Sequence, residues 1–213
     1  ETLPGVFPKI STQSEVSIVG KLAHVAAQLE MWLSKNRSTH ILFYKITGVG
    51  HWFTITRRPP KFYRDGIKSS STREAEIVFP DKASCDRALC TLNSSLFYWF
   101  YQVRTNCRDF NPTDFKTFPI PSSLSDENMS KIAGDLEAGI DKSAEFVTAS
   151  HSITGIIKYE QFRPREAKPI IDQIDQVLAK HYGFTDEELD FIINYDIKYR
   201  MGRGAGADEE DEA

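Results

Sequence analysis

Residues 92–121 read LNSSLFYWFYQVRTNCRDFNPTDFKTFPIP. Six large apolar or aromatic side chains, Leu96 to Tyr101, run without a polar break, and Arg104, Asn106, Arg108 and Asp109 follow at once. Asn93 and Ser94 are helix-capping residues, so the aromatic run reads as a helix that starts there. A helix apolar nearly all round is buried on most of its sides. Asn111 followed by Pro112 is the cap and first turn of a further helix, and FPIP at 118–121 closes a compact unit. The stretch predicts a core helix, with Trp99 inside, feeding a polar junction from Arg104 to Asp109 that fixes loop shape.

Working outward toward the N-terminus, Ser14 can cap a helix to about Lys35, with Val19, Leu22, Val25, Leu29 and Trp32 at helical spacing. ILFYKI (41–46) and HWFTIT (51–56) are strand-like, and the TGVG between them predicts a hairpin. RRPPKFYRDGIKSSS (57–71), broken by Pro-Pro and Asp-Gly, reads as an exposed loop, and EAEIVF (74–79) as a strand. Asp81 or Ser84 opens the helix that leads into the aromatic one.

Toward the C-terminus, Met129, Ile132, Leu136, Ile140 and Val147 mark one long amphipathic helix from Ser125. IIKYEQF (156–162) is a strand or an extended crossing. A helix from about Pro169 to His181 ends at Gly183, and Thr185 with Glu188 forms a capping box for the next. The order predicts an α+β fold: a mixed-sheet domain over 1–121, a helical extension over 122–203, and a disordered acidic tail at 204–213.

The 213 residues suffice for a sizeable core. No run approaches the length of a membrane span, so no membrane partner is expected. The start, ETLPGVFPKI, has neither an initiator Met nor a signal pattern and reads as cut from a longer chain. Cys85, Cys90 and Cys107 form no CxxC and pair poorly with the five scattered histidines, which predicts reduced thiols in a cytoplasmic protein. The net charge of −4 hides an asymmetry: residues 1–120 hold 16 Lys and Arg against 10 Asp and Glu. A polyanion would meet that first part.

Catalytic patterns are scarce, with no GxGxxG, GxxxxGK, GxSxG or HExxH. Asp81, Asp114 and Lys116 follow the order of a PD-(D/E)xK metal-dependent nuclease. Asp114, however, falls in the first turn of the Asn-Pro helix, where an acid simply suits the dipole. The basic loop carries more. Arg57, Arg58, Lys61, Arg64 and Lys68 cluster with Tyr63 and Ser70, and His51 and Trp52 at the hairpin tip can reach the same surface. Guanidinium and ammonium groups neutralise phosphates or read guanine edges, while hydroxyls and aromatics add backbone and stacking contacts.

The stretch at 92–121 resembles a segment in the specificity region of TaqI-like adenine-N6 DNA methyltransferases, especially those of type IIG restriction–modification enzymes. The shared pattern is Leu92-Asn93-Ser94, Leu96-Phe97, Arg108-Asp109 and the Phe118 to Pro121 exit. YKITGVGHWF (44–53) is similar to a hairpin that opens many such domains. The run from Ile174, through Tyr195-Asp196-Ile197-Lys198-Tyr199-Arg200, is similar to their closing helices. The resemblance covers about residues 40–203. It implies a DNA target-recognition domain that binds double-stranded DNA for an upstream methyltransferase domain of the same parent chain. S-adenosylmethionine, and Mg²⁺ for cleavage, would belong to the parent; no cofactor is expected in this chain, nor catalysis by it alone. Two alternatives stand beside this: an autonomous metal-dependent nuclease, and a helical protein-interaction module with an incidental basic loop.

Overall fold

The computed structural model describes residues 8–48, 53–121, 124, 126–151 and 155–200. His51, Trp52 and the acidic tail lie outside them. The first helix, α1 (Gln13–Ala23), opens on Thr12, not Ser14: the Glu15 amide donates to Thr12 Oγ1 (3.2 Å) and the Thr12 amide to the Glu15 carboxylate (2.9 Å). It stops far short of Lys35. The FPIP exit draws the chain away, because the Leu29 amide donates to the Phe118 carbonyl (2.9 Å) and the Ile120 amide to that of Ala27 (2.8 Å). Leu29–Trp32 then forms a 3-10 turn.

Strand β1 (His40–Lys45) pairs antiparallel with β4 (Glu74–Phe79), in register from His40–Phe79 to Lys45–Glu74. Of the expected hairpin partner, 51–56, the described residues 53–56 include a bridge from Thr56 to Phe43 of β1. Phe43 and Thr56 exchange both backbone bonds (2.7 and 3.1 Å), so the backbone groups of Ile55 point away from β1, and they meet Asn93. The Asn93 side-chain amide accepts from the Ile55 amide (3.1 Å) and donates to the Ile55 carbonyl (3.0 Å), so both backbone groups of Ile55 are committed there.

Asn93 ends α2 (Lys82–Asn93), and Ser94 caps α3 (Ser95–Arg104), its Oγ accepting from the Phe97 amide at 3.0 Å. Every side chain from Leu96 to Tyr101 is at most 1% exposed, so α3 is the core helix that its composition predicts. Phe97 and Phe100 meet Phe118 edge-on, and Phe53 meets Tyr101 likewise. The polar junction is bonded inward: Asn106 Oδ1 accepts from the Arg108 amide (3.0 Å), and the Tyr101 hydroxyl donates to the Asp109 carbonyl (3.0 Å). After it, α4 (Pro112–Lys116) starts on the Asn111–Asp114 capping box.

Helix α5 (Asp126–Lys142) ends before Val147, which the apolar stripe had included. Ser143 breaks it: Oγ donates to the Ile140 carbonyl (2.6 Å) and accepts from the Arg163 amide (3.0 Å). Val147 lies instead in β5 (Glu145–His151), which pairs with β6 (Gly155–Gln161). The remaining helices are α6 (Lys168–Tyr182), α7 (Asp186–Asn194) and α8 (Ile197–Arg200). Gly183 at φ 67° closes α6, and the Thr185–Glu188 box opens α7.

Residues 57–71 are more than a loop. Asp65 (φ 48°) and Gly66 (φ 80°) make a two-residue turn of the hairpin type between β2 (Phe62–Arg64) and β3 (Ile67–Ser69). Strand β2 also pairs with β6, giving a four-stranded sheet of order β3-β2-β6-β5. The architecture is α+β with C-terminal helices, as expected, but the mixed sheet takes the form of two small antiparallel sheets. The larger is built from chain on both sides of position 121, and the segment expected to be helical supplies half of its strands. Among the described residues no helix is long and apolar enough to cross a membrane.

Candidate nucleic-acid interface

The four-stranded sheet forms an arm, and one of its faces, open to solvent, is rich in cations and aromatic rings. Register places Lys68, Tyr63, Lys158 and Thr148 opposite one another, so the four form a row across all strands on one side. Phe146 and Glu160 pair on one side of that row, and Ser150 and Ile156 on the other. Lys68, Lys158, Thr148, Ser150, Phe146 and Ile156 are exposed, and Tyr63 is half-buried. The Tyr63 and Phe146 ring centres lie 6.2 Å apart, and Lys158 Nζ stands 4.8 Å over the Phe146 ring. The turn is fastened to β6: the Asp65 amide donates to the Ile156 carbonyl (2.8 Å), and the Ile156 amide to Asp65 Oδ1 (2.9 Å).

Arg57 and Arg58 do not share this face. Arg57 bonds Asp86 of α2 and Glu137 of α5 (3.1 Å), and it donates to Cys85 Sγ (3.3 Å). Arg58 grips the Glu160 carboxylate with both terminal nitrogens (2.6 and 3.0 Å), reaches Asp141 (2.8 Å), and lies 5.0 Å over the Phe162 ring. Burial works against the Arg57 charge, but Cys85, Asp86 and Glu137 outweigh it and raise its pKa. Glu160, followed by Asp141, holds Arg58 above its usual value despite burial. Burial likewise opposes the Glu160 charge, yet Arg58 and the Lys61 amide keep its carboxyl below the ordinary range. Two adjacent arginines thus clamp the arm to α2 and α5. Truncating either leaves a carboxylate short of its partner, and that penalty exceeds the worth of an exposed pair.

The residues named from sequence therefore separate. Arg57 and Arg58 are internal braces. Lys61, half exposed and 3.7 Å from Glu160, sits at the edge of the open face, which Tyr63 and Lys68 share. Arg64 is exposed on the opposite face, opposite Ile67, and Ser70 is exposed beyond β3. Lys158, Thr148 and Phe146 were missed, although the alternation in IIKYEQF is the signal that would have placed Lys158 on one face of a strand.

The acids of the nuclease pattern have other work. Asp81 caps α2, accepting from the Ser84 amide at 2.7 Å, and Asp114 accepts from the Asn111 amide at 2.7 Å. Lys116 approaches Glu30 at 3.5 Å. Among the described residues no group of three or more His, Cys, Asp or Glu could hold a metal ion. The structure thus offers a bonded scaffold and a cationic, aromatic sheet face. No family model, curated protein or solved structure matches this chain.

Proposed function

We propose that the chain is a DNA-recognition module, without catalysis of its own, that serves the methyltransferase part of an adenine-N6 restriction–modification enzyme. The observation that carries this reading is the open sheet face, where Lys68, Tyr63, Lys158 and Thr148 form one row. Cations at that spacing suit a phosphate backbone, and hydroxyls and an aromatic ring among them add positioning contacts. The resemblance at 92–121 supports the parent enzyme, where S-adenosylmethionine would sit on the upstream domain. The helices from α5 onward are the parts available to brace this module against that domain.

Fluorescence anisotropy on duplexes at several salt concentrations tests the reading. Each of Lys61→Ala, Arg64→Ala, Lys68→Ala and Lys158→Ala that removes a phosphate contact should weaken all sequences alike and lower the salt slope by about one. A guanine-reading arginine would instead blur choice at one position, at about 1–3 kcal/mol. If all four leave affinity, slope and site choice unchanged, the proposal fails.

A further inference from the structure

Resting on the DNA-binding reading, we infer that the open face of the arm seats one unpaired base of the bound DNA against Tyr63 and Phe146, with Lys68 and Lys158 meeting the flanking phosphates. Phe146 is 46% exposed and Ile156 is 54% exposed on a face that also carries Lys68, Lys158, Thr148 and Ser150. The two ring planes are inclined at 56°, so a base laid on one ring meets the edge of the other, an arrangement that aromatic quadrupoles favour. Lys68 and Lys158 are the direct cross-strand neighbours of Tyr63, one on each side. That places the backbone of each lysine about 5 Å from that of Tyr63.

Size argues for an unstacked base. Four strands span three inter-strand spacings, about 14 Å, before side chains are added. The major groove is about 12 Å wide and takes a two-stranded ribbon, so this sheet does not enter it face-on. A paired stack offers base edges in its grooves. Only an extruded or unpaired base offers the flat π-face that an aromatic on an open sheet can use. Glu160, the acid nearest the rings in register, is already held by Arg58 and does not repel a phosphate as a free carboxylate would.

The experiment uses this chain and two duplexes. One carries 2-aminopurine as a single-nucleotide bulge; the other carries it paired in a fully matched site. The bulged duplex should bind about five-fold tighter or more, with quenching of the probe. Tyr63→Leu, which keeps apolar bulk, should abolish both the preference and the quench, and Tyr63→Phe should retain both. Equal binding of the two duplexes, or a preference that survives Tyr63→Leu with Phe146→Leu, overturns the inference and leaves duplex recognition standing. Absence of binding to either duplex at low salt overturns both.

Discussion

Replacing Asn93 with Ala should be among the most damaging single changes in the chain. Asn93 is 3% exposed and makes three hydrogen bonds, two to the backbone of Ile55 and one to the Leu89 carbonyl (2.8 Å). The Leu89 carbonyl is also within reach of the helical bond from the Asn93 amide, so its loss costs little. The Ile55 amide and carbonyl have no such reserve, and Ile55 is 1% exposed. Two stranded buried polar groups at about 1–3 kcal/mol each give about 2–5 kcal/mol after partial relaxation. For a chain of this size that lowers Tm by about 4–20 °C. Asn93→Asp should be no better, because a carboxylate satisfies the amide but turns an acceptor on both carbonyls. Urea unfolding of the three proteins measures the differences. If Asn93→Ala costs under about 1 kcal/mol, or if Asp substitutes without loss, the side chain does not clip Ile55 and the reasoning fails.

Trp99→Ala should destabilise by about 3–5 kcal/mol through a core cavity; a variant that melts near wild type would contradict the packing of α3, where Trp99 is 0% exposed. Burial raises the Asp175 carboxyl to about 6, despite the Leu96 and Ser95 amides and Arg200 that favour its charge. The native state therefore keeps a proton that the unfolded chain releases between about pH 4 and pH 6, so this group's contribution falls as pH rises through that window. Measured against Asp175→Asn by urea titration, wild-type stability should decline across it by on the order of 2–3 kcal/mol, and a flat difference would refute the assignment. Gly155→Ala should cost about 1 kcal/mol or more and loosen the turn of the arm, since φ is +77° and an added Cβ would lie 2.6 Å from Asp65 Oδ1; unchanged amide protection at Ile156 in hydrogen exchange would count against the clip.

Local signals carried the helices. Ser94, the Asn111–Asp114 pair, Gly183 and the Thr185–Glu188 box each act on backbone groups a few residues away, so their spacing alone reports them. What the sequence hid was long-range. Val147 falls seven residues after Ile140 and continues the helical stripe, while the bond that stops α5 comes from Arg163, 20 residues on. Arg57 and Arg58 belong to a basic run when read along the chain. Their partners Asp86, Glu137, Asp141 and Glu160 lie 29 to 102 positions distant, and only the fold turns two apparent DNA contacts into braces. The two strands of the basic hairpin are three residues each, too short for alternation to show.

The arm also sets a timing problem for a nascent chain. Its hairpin is complete at Ser69, but β6, which pairs along β2, ends at Gln161, about 90 residues later. At about 5–20 residues per second, the hairpin waits about 5–20 s for its neighbour. Two strands alone are marginal in water, and the β2 edge meanwhile offers unpaired amides and carbonyls to any other chain nearby. Lys61, Arg64 and Lys68 stand within eight residues of that edge. Their mutual repulsion discourages newborn copies from pairing with one another, as gatekeeper charges do beside exposed strands. Neutralising all three together should therefore lower the yield of soluble protein during synthesis by more than it lowers the stability of molecules already folded.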